Sequence, residues 1–523
     1  MRLASEKEEV YNHIELMKKM SSLEKEDNNT DSSGWNIVII LSCLGLIVMF
    51  DETMILPAIP DFIHSFNISY STSSWLLSAY IIAAAVMTPI GGKLSDIYGK
   101  KKILLIIMAV YAAGIMAGRF ATNIEFMLVA RVLQGVGMAM FPIAFGIIRG
   151  ILPERKLAIG QTIFTSTFSG GAVVGLVGGA AIIQNFGWQA TFLAILPAAI
   201  LLWLIIARFV RIDSSNNSAT VPIIKSSRIE VGRDSSGNNT SKVSATTNTI
   251  DIKGTLALAA TIITFLAGIT MLEVKTSIAI YQVTGLFAAS GILLAAFIAI
   301  ERRVYSPLLD FKLMTSKSFL APTIILMLVF MSIFMVYLTI PVMVRSPPPF
   351  GFGGNAIMVA GVQLPFMIVL LIGTIMSGFI LNRVKNTKLM LFGTAISAIG
   401  FFVVLIFHST ENMVSVGLTI LAAGLSLSIT GAFNVILLSV PMQMTGIALG
   451  MTLLLNLVGM SVGPALSGLF QEAYKGTAAG VQGLFPTNQA YNLIFITAAL
   501  VSLASVAMAF SVASTRDRTP TVR

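Results

Sequence analysis

The sequence predicts an all-α polytopic membrane protein, and three observations carry that reading. Of 523 residues, 55% are hydrophobic and 11% charged, against about 25% charged in an ordinary soluble chain. Mean hydropathy is +0.86, and the apolar residues recur in window after window rather than in one anchor. The alternating pattern that a membrane barrel needs is absent. The spanning elements are therefore helices, which satisfy their own backbone hydrogen bonds in lipid.

The chain opens on a polar segment, 1–34, without a signal-peptide pattern. Its charges (Glu6, Lys7, Glu8, Glu9, Lys18, Lys19) read as a solvated surface helix. Six apolar stretches follow: α1 35–59, α2 75–92, α3 103–118, α4 124–148, α5 158–184 and α6 188–210. The segment 211–252 is rich in Ser, Asn and Thr and reads as a flexible linker. Two more stretches, α7 253–273 and α8 277–300, come before the short polar segment 301–317. The last six are α9 318–344, α10 355–382, α11 388–408, α12 413–440, α13 444–471 and α14 487–513, with 514–523 as a tail. Each stretch is long enough to cross a ~30 Å hydrocarbon core at ~1.5 Å per residue.

Fourteen spans put both termini on one side. The segments on that side hold 29 of the 34 Lys and Arg residues. The opposite loops hold four, Arg119, Lys275, Arg345 and Lys475, and Arg131 falls inside a span. The asymmetry places both termini in the cytoplasm. It also explains the net charge of +10, which in a soluble chain would point to nucleic acid. One cysteine, Cys43, excludes an internal disulfide, and three histidines give little basis for a metal site. No cofactor is expected.

The spans divide into two similar sets. Pro153 is followed by Gly171, Gly175 and Gly179; Pro441 is followed at the same spacing by Gly459, Gly463 and Ser467, an offset of 288. The stretch Thr88–Asp96 aligns without gaps on Thr374–Asn382 at offset 286. The halves are 35–210 and 318–513, with 253–300 inserted between them. Parallel repeats about an axis along the membrane normal suit a transporter whose halves rock about a central site.

Motifs narrow the reading. After α2 comes Gly92-Lys-Leu-Ser-Asp96-Ile-Tyr-Gly99-Lys100-Lys101-Lys102. Gly92 allows a close helix approach, and Asp96 suits a helix N-terminus or a cationic neighbour. Late in α1 stands Asp51-Glu-Thr53-Met-Ile-Leu-Pro-Ala-Ile-Pro60, and in α4 Arg131-Val-Leu-Gln134-Gly135-Val-Gly137. Trp188, Phe192 and Pro197 open α6, and Glu301-Arg302-Arg303-Val-Tyr-Ser-Pro307-Leu308-Leu309-Asp310 precedes α9. Taken in order, these resemble the signatures of the major facilitator superfamily, and within it the fourteen-helix drug:proton antiporters of the EmrB/QacA type. The resemblance implies the major facilitator fold: two six-helix halves plus two inserted central helices. It also implies that the 92–102 loop (Gly92, Asp96, Gly99, Lys100) gates the cytoplasmic side. The chain departs from the family at α5, where the motif proline is Leu176. Gln189 and Ile195 replace the Arg and Asn of the α6 motif. The fuller α5-type motif appears in α13, with Gly459, Gly463 and Pro464.

The cost of burial points to the site. An ionisable group at the bilayer centre costs ~2.5–3.5 kcal/mol on insertion scales, and few occur here. Asp51 and Glu52 lie late in α1 and Arg131 early in α4. Asp51 and Arg131 are expected at one depth as a pair that opens and closes, with Asp51 the proton carrier and Glu52, ~100° round the helix, the weaker candidate. Glu125 and Glu273 fall at helix ends and read as solvated. Thr53, Gln134, Gln363, Asn434 and Asn456 are candidate polar residues of a substrate cavity, although in-membrane amides more often bond between helices. Gly171, Gly175 and Gly179 form a ridge that suits close packing and a sliding gate equally.

The expected function is secondary active transport: proton-coupled export of amphipathic organic compounds across the plasma membrane by a monomer. Its partners are a small-molecule substrate, protons and the lipid bilayer, with no nucleic acid. A metabolite transporter or uniporter on the same fold is the alternative, and a transport-dead membrane sensor is a third reading. No nucleophile–base set or phosphate loop suggests an enzyme.

Overall fold

The computed structural model describes residues 34–210, 252–272, 277–304, 311–381, 383–440 and 445–517, with 232–233 and 239–240. The tail 1–33 and most of the 211–252 linker lie outside the described residues, as do Glu273, Lys275, Pro307–Asp310, Asn382 and Pro441.

Fourteen helices long and apolar enough to cross a membrane are present among them. In the first half these are α1 Gly34–Phe66, α2 Tyr70–Tyr98, α3 Lys100–Arg119, α4 Ile124–Ile151, α5 Ile159–Phe186 and α6 Gln189–Phe209. The inserted pair is α7 Lys253–Met271 and α8 Ile280–Glu301. The second half is α9 Lys317–Arg345, α10 Ala356–Leu381, α11 Asn386–Ile406, α12 Glu411–Leu437, α13 Ala448–Ala473 and α14 Asn488–Ser514. Most ends fall within a few residues of expectation. There are two exceptions: α2 runs on to Tyr98 instead of stopping near residue 92, and α1 runs on to Phe66 instead of stopping near residue 59. Pro57 and Pro60 lack backbone N–H groups, yet they bend the helix rather than end it. Leu56–Ala58 tightens into a 3-10 turn, and the helix resumes over Ile59–Phe66. The extension is anchored by Phe62 and Phe66 against Trp188, whose indole N–H donates to Ser65 Oγ at 3.3 Å.

A second 3-10 stretch interrupts α4 at Val136–Ala139. Pro142 follows, so the Met138 carbonyl loses its i+4 donor and the backbone tightens. Both charge-bearing helices therefore change pitch about five residues past their buried charge.

Small residues set the closest packing. A Cβ at Gly175 would fall on the Thr53 hydroxyl and stand 2.6 Å from the Phe50 carbonyl oxygen; one at Gly171 would stand 2.6 Å from the Leu46 carbonyl oxygen. The partner of the α5 ridge is thus α1, over the turns that carry Asp51. In the second half Gly459 and Gly463 of α13 lie against the Met327 and Met331 carbonyls of α9. A further seam joins α11 to α12 through Gly393, Gly400 and Gly424.

The halves meet along two seams, α2 with α13 and α5 with α10. The inserted α7 packs on α2 and α13, with the Trp75 indole N–H donating to Thr270 Oγ1 at 3.0 Å. α8 packs on α7 and leaves Tyr281 and Ile292 facing outward, 80% and 70% exposed. In a bilayer that face meets lipid.

Candidate functional site

Asp51 is fully buried, and neither carboxylate oxygen has a hydrogen-bond partner among the described residues. Arg131 is likewise fully buried, and its charge acts on Asp51. The two do not form an ion pair. Arg131 Nε donates to the Leu76 carbonyl at 2.9 Å and one terminal nitrogen to Gln134 Oε1 at 2.8 Å. The other terminal nitrogen, Nη2, is buried without a partner. The Tyr80 ring lies beneath the guanidinium, 4.4 Å from its carbon to the ring centroid, an arrangement favourable for a desolvated cation. Tyr111 stands beside Asp51 with its hydroxyl toward the Ile47 carbonyl at 3.5 Å. Four helices, α1 to α4, thus supply one charge cluster inside the first half.

Asp51 lies fifteen residues before Phe66, the end of α1, because the helix continues past residue 59. Glu52 keeps part of its surface accessible while Asp51 has none. Its charge reaches Tyr80 of α2 and Tyr337 of α9, so it faces the junction between halves, and Asp51 faces into the first half.

A family model described as "Major Facilitator Superfamily" matches residues 41–464. The chain belongs to the major facilitator superfamily. It is a transporter, as the members of that superfamily are, and not an enzyme. It is 24% identical over 387 residues to "Multidrug resistance protein 3" of Bacillus subtilis, covering 73% of this chain and 68% of the relative. It is 25% identical over 476 residues to "Multidrug efflux pump LfrA" of Mycolicibacterium smegmatis, covering 87% and 85%. Among solved structures, the fold is shared with a bacterial homolog of the human lysosomal transporter Spinster, at TM-score 0.66 and 14% identity over 94% of this chain and 99% of that one.

In this member of the superfamily, the 92–102 segment expected as a loop is helical except at Gly99: Gly92–Tyr98 are the last turns of α2 and Lys100 opens α3, because the one positive-φ glycine between them suffices for the turn. Asp96 sits in the last turn of α2, exposed, with Lys100 as a nearby cation. Lys100 donates to the Gly146 carbonyl at 3.0 Å and Lys101 to the Ala207 carbonyl at 2.8 Å. Lys101 thus meets a carbonyl in the last turn of α6, where a cation is favoured, and Lys100 one in the turn before the last of α4. Gly99 turns the chain at φ +95°, with open space around it, and Gly92 has only Pro142 near.

The far end of the superfamily fold is where the halves are tied together. Arg345 of α9 meets Asp61 of α1 through two hydrogen bonds, 2.5 and 2.7 Å. Glu472 accepts from the Tyr70 backbone N–H at 2.9 Å and also holds Lys475. Ser78 donates to the Ser461 carbonyl at 3.1 Å, and Gln184 Oε1 accepts from the Ala356 backbone N–H at 3.3 Å.

The other polar candidates scatter. Thr53 donates to the Met49 and Ala172 carbonyls, inside the α1–α5 seam. Asn434 donates to the Thr430 carbonyl of its own helix. Gln363 and Asn456 each keep a buried oxygen without a partner among the described residues. Gln363 lines a small apolar pocket with Tyr337, Phe366, Leu418 and Leu421. Leu176, at the lost motif proline, is fully buried. Tyr80, Tyr111, Asp61 and Arg345 were not singled out from the sequence. The signal for the tyrosines was a hydroxyl inside an apolar span, which needs a partner.

Proposed function

We propose that this transporter is a proton-coupled exporter of amphipathic organic compounds, working as a monomer in the plasma membrane with both termini in the cytoplasm. The observation that carries the reading is Asp51: a fully buried carboxyl group with only the Tyr111 hydroxyl beside it and no ion pair, near an arginine that is bonded elsewhere. A carboxylate left so would be costly, whereas a neutral acid is tolerated. In this reading the structure holds the protonated form, and a rotated Arg131 meets the ionised form elsewhere in the cycle. With both termini in the cytoplasm, as proposed, the tied end is the outer one and the described conformation is closed on that side. The printed names of the relatives, multidrug resistance and efflux proteins, support drugs as the substrate class. Glu52, at the junction between halves, is a cavity acid suited to a cationic head group.

Uptake into inverted vesicles tests this across a panel of lipophilic cations and neutral amphiphiles. Accumulation that needs an imposed pH gradient supports proton coupling. Equilibration without accumulation favours the uniporter.

A further inference from the structure

Gln134 is the acceptor that Arg131 uses in place of Asp51. Its side chain has no exposed surface, and its Oε1 takes an Arg131 N–H at 2.8 Å, three residues along the same helix. Its own amide reaches the Gly114 carbonyl only at 3.5 Å. Gln134 also stands immediately before the α4 pitch change at Val136–Ala139. Gly135, next to it, is pressed against the Tyr80 carbonyl, so this turn cannot shift without moving α2. Beside the Leu76 carbonyl that takes its Nε, Arg131 therefore has a neutral amide acceptor, occupied here, and the nearby Asp51 carboxyl, which it does not meet.

We propose that Gln134 is a positioning residue of the coupling step: it parks the Arg131 guanidinium away from Asp51 while Asp51 carries the proton, and yields it when the proton leaves. This deepens, and rests on, the reading of Asp51 as the proton carrier. The exchange balances simply. Asp51 loses H⁺ to water and becomes a carboxylate, Arg131 keeps its charge throughout, and one N–H···O=C hydrogen bond is replaced by N–H···O⁻. Both bonds have a charged donor, but only a carboxylate acceptor adds the attraction of opposite charges in a low-dielectric site, so the neutral acceptor wins only while Asp51 is protonated. An amide at position 134 is suited to this, because a carboxylate there would compete with Asp51 on equal terms, whereas an apolar residue would leave only the Leu76 carbonyl and the Tyr80 ring to hold Arg131. The titratable groups facing Asp51 are Arg131 from α4, Tyr111 from α3, Tyr80 from α2 and Glu52 on α1 itself.

The test needs no transported substrate. The protonated-carboxyl band of the purified protein is titrated by infrared difference spectroscopy, and the part lost in Asp51→Asn is assigned to Asp51. Gln134→Leu frees Arg131 for Asp51 and moves the midpoint of that band about one pH unit down; Gln134→Glu claims Arg131 and moves it up by a similar amount. Opposite shifts are expected. An unchanged midpoint in both variants, or shifts of the same sign, overturns the role of Gln134 while leaving Asp51 as carrier. Absence at every pH of a band that depends on Asp51 removes the reading of Asp51 itself. If Gln134→Leu does not fold, Gln134→Met decides by the presence or absence of the downward shift, because an added carboxylate at 134 raises the midpoint by like charge alone.

Discussion

Arg345 and Asp61, 284 positions apart in the chain, form a two-point ion pair between α9 and α1, each side chain about a quarter exposed (24% and 25%). Arg345 also donates to the Pro57 carbonyl at 3.2 Å, beside the 3-10 turn of α1. The pair joins the halves at the end away from the termini, so it must break when that end opens.

Arg345→Ala or Asp61→Asn should therefore favour the conformer open at the end away from the termini. A partly exposed pair contributes about 1 kcal/mol, a roughly fivefold population shift. Spin-label distances across the outer face read it. The exchange Asp61→Arg with Arg345→Asp should restore the original distribution; if it does not, the pair is not the tie.

The α5 ridge makes a prediction about stability. A Cβ at Gly175 meets α1 backbone, whereas one at Gly170 meets nothing within 4 Å. Gly175→Val should cost ~1–3 kcal/mol or more through overpacking and lower the melting temperature. Gly170→Ala should be neutral or slightly stabilising. Equal effects would show that the seam is looser than described.

Much of this fold was legible because its causes are local. Span length, loop charge and the spacing of the glycines lie in short windows of sequence. The path of α1 was not, because Pro57 and Pro60 suit a helix end and a bend equally; packing of Phe62 and Phe66 on Trp188 decides it. That one error hid Asp61, which fell in an expected loop, and with it the tie to Arg345. The cluster was half legible. Burial cost picks out Asp51 and Arg131, but nothing in the sequence says that Arg131 turns to Gln134 and Leu76, or that Glu52 rather than Asp51 keeps surface at the junction.

Asp96 is exposed in the described conformation, so replacing it should disturb this state little. We hypothesise that it locks the cytoplasmic face when that face is closed. Asp96→Asn should then raise the inward-facing population, measured by label distances across the cytoplasmic face. Unchanged populations mean the loop has no locking role.

Orientation has its own test. Single cysteines placed in 211–250, with Cys43 replaced, should react with an impermeant maleimide only after the cells are broken. Labelling from outside intact cells would invert the topology, and with it the assignment of the tied end.

The central claim is that Asp51 carries the coupling proton, and its most direct measurement is pH-gradient-driven accumulation of ethidium, a lipophilic cation, by proteoliposomes containing Asp51→Asn. The account predicts that accumulation against a gradient is lost while counterflow exchange and the melting temperature stay close to those of the unmodified protein. A folded Asp51→Asn protein that still concentrates ethidium with an unchanged pH profile contradicts it, and would transfer the role to Glu52.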